Sequence, residues 1–288
     1  MTTFRAFADR WQDTVLPLKK PATVVTFRSH LGLFRASALG EMPLASIDTP
    51  SVQAVLTAQA ARVSPRTVRN RWVTLHTVLA AAQREKLLAE IPKPVLPRSR
   101  RRPEQPSLEP AAMRDAIRKL EGQYKVLYAV LAETGVRIGE ALAIWPSAID
   151  LKRRTLTVER ALFNGRVGEC KTVSSYRKLC LSEGLCGLLE PLVQKTDDGK
   201  TIFQTSRGTP LWPAEIRRVV DPILGAEYPF HAFRRGNISL LHKHIGVPQA
   251  ILARRVGHTL EDITLGVYCQ TSAEDDYPWV EQIAAALR

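Results

Sequence analysis

No stretch of this 288-residue chain stays apolar for the roughly eighteen residues that a membrane-spanning helix requires, although 45% of its residues are hydrophobic. The apolar residues come in short runs, so a soluble protein with no membrane partner is expected. The first residues, MTTFRAFADRW, lack the basic stretch, apolar run and small-residue cleavage site of an export signal, and a cytoplasmic location is expected. Cysteine is sparse: Cys170, Cys180, Cys186 and Cys269 include no C-x-x-C pair, which argues against both a zinc centre and a disulfide framework. A last deficit is local. Between residues 259 and 287 there is no Lys or Arg, while Glu261, Asp262, Glu274, Asp275, Asp276 and Glu281 are acidic.

Elsewhere the opposite sign dominates. The formal net charge is +13, of which +6 falls in residues 1–91, +4 in 92–106 and only +3 in 107–288. A chain this basic is expected to bind a polyanion, with an affinity that falls steeply with salt as counterions are released. Charge alone does not separate DNA from RNA, and a solvated basic surface has the same composition.

The length allows two domains. Residues 1–91 read as helical: Val52, Val55 and Leu56, then Trp72, Leu75, Val78, Leu79 and Ala82, recur at helical spacing with no sustained strand-like alternation. Ser64-Pro65 opens one of these helices, and its first turns carry Arg66, Arg69 and Arg71, a suitable phosphate-binding end. Residues 92–106, PKPVLPRSRRRPEQP, form a linker kept extended by proline, whose Arg98, Arg100, Arg101 and Arg102 are placed to track phosphates. An inert basic spacer remains the alternative reading. A second domain, 107–288, starts with Ser107 as the cap of a helix over 111–120. A helix through Val126, Leu127, Val130 and Leu131 follows and ends at Gly135. After Asp150 the period changes to two, in Thr155–Val158 and again in Ser175, Arg177, Leu179 and Leu181, which predicts a small antiparallel sheet. The fold class expected is mostly α with that sheet.

The stretch 229–268 is the densest in chemistry. It reads as three short helices, from about Ala232 to Gly246, from Pro248 to Gly257, and from about Leu260. His231 and Arg234 lie three apart on one helix face, His258 directly follows the Gly257 stop, and Tyr268 lies ten residues beyond. Each alone is ordinary as a cap, a snorkelling cation or a core ring. Together they suit one anionic guest.

His231-Ala232-Phe233-Arg234, Gly257-His258 and Tyr268 resemble the His-x-x-Arg, Gly-His and nucleophilic Tyr pattern of the tyrosine recombinases, the phage-integrase family. Thr134-Gly135-Val136-Arg137-Ile138-Gly139-Glu140 resembles the family's first-arginine motif, with Ile144 at its final Leu position. Lys171-Thr172-Val173-Ser174-Ser175-Tyr176-Arg177 resembles its Lys-bearing hairpin. The start at 64–70 is similar to the fourth helix of the family's core-binding domain, and 203–211 to the strand and turn before the penultimate helices. Arg235 where His is frequent, and Cys269-Gln270 after the tyrosine, depart from the pattern without removing a catalytic group.

The resemblance implies a helical core-binding domain that forms half of a DNA clamp and an α+β catalytic domain, with no separate arm-binding domain ahead of them. Tyr268 is implied as the nucleophile, Arg137, Arg234 and His258 as stabilisers of phosphate charge, His231 as base and Lys171 as acid, with Glu140 orienting Arg137. It implies double-stranded DNA as partner, no metal or other cofactor, and a prokaryotic or phage-encoded protein. A homo-tetramer is implied on paired sites, and a monomer or weak oligomer off DNA. The acidic tail ends in a short amphipathic helix, Val280, Ile283, Ala284 and Leu287, which docks on a neighbouring subunit or folds back on its own domain. A type IB topoisomerase, a silent DNA-binding relative and a basic helical regulator are the alternatives. Intact residues at all six catalytic positions argue against the silent relative, and the regulator leaves the 229–268 constellation unexplained.

Overall fold

Helix starts in the first part of the chain follow from residues that satisfy orphan backbone donors or need none. In the computed structural model, which describes residues 1–98, 107–170, 175–257 and 274–288, the chain divides into two compact units, Met1–Glu104 and Gln105–Arg288. In the first, Thr3 caps α1 (Phe4–Val15) by accepting from the Ala6 amide, and Pro21 opens α2 (Pro21–Arg35). Asp48 and Ser51 form a reciprocal capping box on α3 (Thr49–Ala60), and Ser64 accepts from the Thr67 amide at 3.2 Å to start α4 (Pro65–Arg84). The helical spacing noted in α3 and α4 is the buried one: Val52, Leu56, Leu75, Val78, Leu79 and Ala82 pack with Phe4, Phe7, Trp11, Leu31 and Phe34. Each of the Val, Leu and Phe side chains contributes about 1.5–3 kcal/mol by leaving water.

Residues 92–98 form neither helix nor strand, as their prolines favour, but they are fastened rather than free. The Val95 amide donates to Gln53 Oε1 at 2.7 Å and Val95 O accepts from Gln53 Nε2 at 3.2 Å. The Lys93 amide donates to Thr49 Oγ1 at 3.0 Å, and Arg69 Nε donates to Pro97 O at 3.0 Å. Side chains of α3 and α4 thus supply the partners that a strand ladder would otherwise give.

In the second unit Ser107 is not the cap expected of it. The first helix, α5 (Pro110–Arg118), has Glu109 at its N-cap without a side-chain bond and Pro110 at its first position, where a missing N–H costs nothing and the ring presets φ. Then comes α6 (Gly122–Thr134), apolar on most sides and therefore central. Tyr128 stacks edge-on against Phe233 (4.9 Å, 88°) and lies 5.8 Å from Phe230, both on α10 (Phe230–Ser239). Between them run α7 (Ile138–Ala141), β1 (Ile149–Asp150), β2 (Thr155–Val158), β3 (Arg160–Phe163), β4 (Arg166–Glu169), β5 (Arg177–Cys180), α8 (Glu183–Lys195) and α9 (Pro213–Leu224). The order β1-β2-β5 makes the expected antiparallel sheet, with Leu156 opposite Leu179 and Val158 opposite Arg177. A separate hairpin pairs β3 with β4 across Asn164 (φ 47°) and Gly165 (φ 76°), a two-residue turn with both φ positive. The segment 203–211 forms a turn with a single bridge, Gln204 to Pro210.

After α10 the chain widens into π-helical turns over Leu240–Ile245, ends at left-handed Gly246, and continues as α11 (Gln249–Val256), which ends at left-handed Gly257. The third short helix expected from Leu260 lies outside the described residues. The last helix, α12 (Tyr277–Leu287), packs on its own unit. Ile283 is buried with Leu240, Leu241 and Val247, Glu281 pairs with Arg154 at 2.7 Å, and Arg118 Nη2 reaches Arg288 O at 2.6 Å. Among the described residues no helix is long and apolar enough to cross a membrane.

Candidate active site

Glu140 is the hub around which the site is built. Gly135 ends α6 in the left-handed region, and a Cβ there would lie 2.4 Å from Asn237 Oδ1, so only glycine permits this approach of α6 to α10. The turn leaves Arg137 extended at the N-cap of α7. Its amide donates to Glu140 Oε2 at 2.9 Å and its Nη1 to Glu140 Oε1 at 2.8 Å. Arg177, from β5, brings Nη2 to Glu140 Oε2 at 2.8 Å. The Arg177 and Glu140 side chains are 2% and 3% exposed, whereas that of Arg137 is 39% exposed. Burial pushes the Glu140 carboxyl upward, but the hydrogen bond and charge of Arg177 and the two hydrogen bonds from Arg137 outweigh it and hold the group below its ordinary value. An anchored carboxylate thus fixes one edge of Arg137 and leaves part of the guanidinium open.

The other half of the site is the C-terminus of α11. Three successive carbonyls there accept from three arginines: Arg255 O from Arg177 Nε (2.8 Å), Val256 O from Arg234 Nη2, and Gly257 O from Arg137 Nη2 (3.4 Å). Arg234 also donates through Nη1 to Gly135 O, so it ties the ends of α6 and α11 together. The last carbonyls of a helix have no partner within it and sit at the negative end of its dipole, which is why cations gather on them. Arg234 is buried, and burial together with the charge of Arg137 lowers its pKa to about 10, leaving it protonated at neutral pH. Arg137, Arg177 and Arg234 form one cationic cluster around the carboxylate of Glu140.

His231, one turn before Arg234 on α10, is the more exposed of the two. Partial desolvation, then the charges of Arg234, Arg235 and Arg137, lower its pKa, so its ring is neutral and able to accept a proton near pH 7. The structure therefore brings together Arg137, Glu140, His231 and Arg234 from the expected set. Lys171, His258 and Tyr268 lie outside the described residues, as do Arg100, Arg101 and Arg102. In the other unit Arg66 and Arg98 are exposed, Arg69 donates to Pro97 O, and Arg71 Nη1 donates to Gln59 Oε1 at 3.2 Å.

Two participants carry no role in the sequence reading. Arg177 stands at an inward position of the β5 alternation beside Leu179, and a cation there signals a buried partner. Arg255, fully buried, pairs with Asp276 and has no such positional signal. Tyr277, the other tyrosine near the tail, donates its hydroxyl to Arg153 O at 2.6 Å. Among the described residues no group of three His, Cys, Asp or Glu side chains is placed to hold a metal ion.

The sequence model of the phage integrase family matches residues 108–275, more than half of the chain. The integrase of Staphylococcus phage L54a is 27% identical over 169 residues, covering 51% of this chain and 48% of that protein, so the chain spans about half the length of this curated relative. Among solved structures, the Tn1549 transposon integrase in complex with transposon right-end DNA superposes with a TM-score of 0.71 at 17% identity, over 96% of this chain and 98% of that one. A lambda integrase tetramer bound to a Holliday junction gives 0.67 at 18% identity, over 91% and 79%.

Proposed function

The chain belongs to the phage integrase family, and from that premise we propose that it is a site-specific recombinase that cuts and rejoins double-stranded DNA through a covalent phosphotyrosine. The Tyr268 hydroxyl attacks the scissile phosphorus while His231 takes its proton. The bond to the 5′-oxygen breaks, Lys171 protonates that oxygen, and a 3′-phosphotyrosine and a free 5′-hydroxyl result. A partner strand's 5′-hydroxyl then attacks the phosphotyrosine with the two proton transfers reversed, so the bond energy is conserved and no nucleotide or metal is called for. A tyrosine that titrates near ~10 in water needs the neutral His231 to ionise at neutral pH.

The observation that carries this reading is the Arg137–Glu140–Arg177–Arg234 cluster. Arg137 is anchored on one edge by Glu140 and partly open, and Arg234 is held cationic beside it. Two such guanidiniums match the non-bridging oxygens of a phosphodiester and stabilise the charge that develops on them, with His258 as a further donor. The DNA-bound Tn1549 and lambda integrases support duplex DNA as the partner, and the lambda tetramer supports a homo-tetramer on paired sites. Arg66, Arg69, Arg71, Arg98, Arg100, Arg101 and Arg102 are the proposed backbone contacts.

The test is trapping on a nicked duplex recovered by binding selection from random DNA, with EDTA present. A covalent protein–DNA adduct whose peptide map places the nucleotide on Tyr268 is the expected outcome. Tight binding without any adduct would overturn the reading.

A further inference from the structure

The segment that carries the proposed nucleophile starts and ends at one buried point. Arg255, in the last turn of α11, and Asp276, just before α12, are both 0% exposed and form an ion pair through Arg255 Nη1. Arg255 Nη2 also donates to Glu133 O at the end of α6 (2.9 Å), and Asp276 Oδ2 accepts from the Cys180 amide of β5 (3.2 Å). The neighbouring Arg254 Nη1 donates to Lys178 O at 3.0 Å, so β5 is joined to α11 at the same junction. Residues 256–275, which include both His258 and Tyr268, run from one member of the pair to the other.

Stability alone explains this pair poorly. Desolvation of two charges offsets most of their attraction, and apolar side chains of the same volume commonly serve a core as well or better. Arg255 Nε and Asp276 Oδ1 are buried without a hydrogen-bond partner among the described residues, so the pair is not fully satisfied. An ion pair with shared backbone bonds supplies a defined orientation, which an apolar contact does not. We propose that Arg255 and Asp276 are positioning residues: they tie the two ends of segment 256–275 to α6 and β5 and thereby hold the nucleophile where the arginine cluster can use it. The inference rests on the assignment of Tyr268 above. Closing the ends of a twenty-residue segment removes much of its freedom, and small misplacements at a reacting atom are costly in rate.

The full-length chain and the selected nicked duplex provide the test. Asp276→Asn leaves the Arg255 charge buried and risks unfolding, so the deciding variant is Arg255→Met with Asp276→Leu, which removes both charges and keeps the space filled. It is expected to bind the duplex as tightly as wild type and to melt at or above the wild-type temperature. Its single-turnover trapping rate at saturating DNA should fall on the order of 10²-fold. Amide exchange should quicken across 256–275 and stay slow in α6 and α10. Trapping at the wild-type rate, or unchanged exchange in 256–275, would overturn the proposal. Exchange reads the tether whether or not DNA is cut. An adduct that persists in Tyr268→Phe would overturn the nucleophile assignment instead, so the two failures are separable.

Discussion

Replacing Glu140 by Gln tests the site where its electrostatics are most concentrated. The carboxylate accepts from the Arg137 amide, Arg137 Nη1 and Arg177 Nη2, all within 2.9 Å, and both it and Arg177 are almost fully buried. Removing one partner of a buried ion pair costs about 3–5 kcal/mol, because the other charge is left uncompensated. A glutamine keeps one acceptor oxygen but turns an NH₂ toward a guanidinium, so the lower end, about 3 kcal/mol, is expected. At about 2–4 °C per kcal/mol for a unit of this size, the melting temperature should fall by about 6–12 °C. The pH dependence follows from the direction of the shift. Glu140 titrates below its unfolded value, so its contribution is complete above about pH 4.3 and is lost as the pH falls through the folded value. Calorimetry of wild type and variant should therefore show a constant gap from pH 8 to about pH 5 that closes in stronger acid. DNA trapping at pH 7 should slow by on the order of 10²–10³ as Arg137 loses its orientation. A melting temperature within a degree of wild type at pH 7 would refute the network.

The lowered pKa of His231 places the acid limb of the trapping rate below pH 6.5, and Arg235→Ala, by removing one of the charges that depress it, should move that limb upward; an unmoved limb would contradict His231 as the base. Gly135→Ala should cost about 3 kcal/mol in a urea melt, combining about 1–2 for the left-handed backbone with displacement of Asn237, whose Nδ2 bonds Ala132 O and Glu133 O. Gly246→Ala, equally left-handed but with open space around its Cβ, should cost only the backbone part. Phe233→Ala, which empties the ring contact with Tyr128, should destabilise by about 3–5 kcal/mol in the same assay. Replacing Arg98, Arg100, Arg101 and Arg102 together should lower the slope of log affinity against log salt by about 0.9 for each phosphate no longer neutralised, and an unchanged slope would show that the strap does not touch DNA.

Local signals were the legible ones. Ser64-Pro65, Gly135, Gly246 and Gly257 mark helix ends because capping and left-handed φ are properties of single residues, and His231 and Arg234 share α10 because three positions make nearly one turn. Glu140 orienting Arg137 is equally local. The partner that buries Glu140 is Arg177, thirty-seven positions away, and no periodicity links the two. Asp276 reads in sequence as one of six acids in a stretch without Lys or Arg, yet its charge is matched by Arg255 and it faces the core. The β3–β4 hairpin did have a signal, Asn164-Gly165 between strand-like residues. Ser107 misled because Pro110 alone suffices to start α5. The proline run reads as an extended linker since its composition excludes a helix, whereas its fastening depends on Gln53, Thr49 and Arg69, which only the fold brings alongside.

The central claim is that one tyrosine becomes covalently joined to DNA, and the most direct measurement compares Tyr268→Phe with Tyr277→Phe on the selected nicked duplex. Tyr277 already donates its hydroxyl to Arg153 O, and its loss should leave the adduct intact. Tyr268→Phe should bind DNA as tightly as wild type and form no adduct at all. An adduct that survives in Tyr268→Phe and vanishes in Tyr277→Phe would contradict the account.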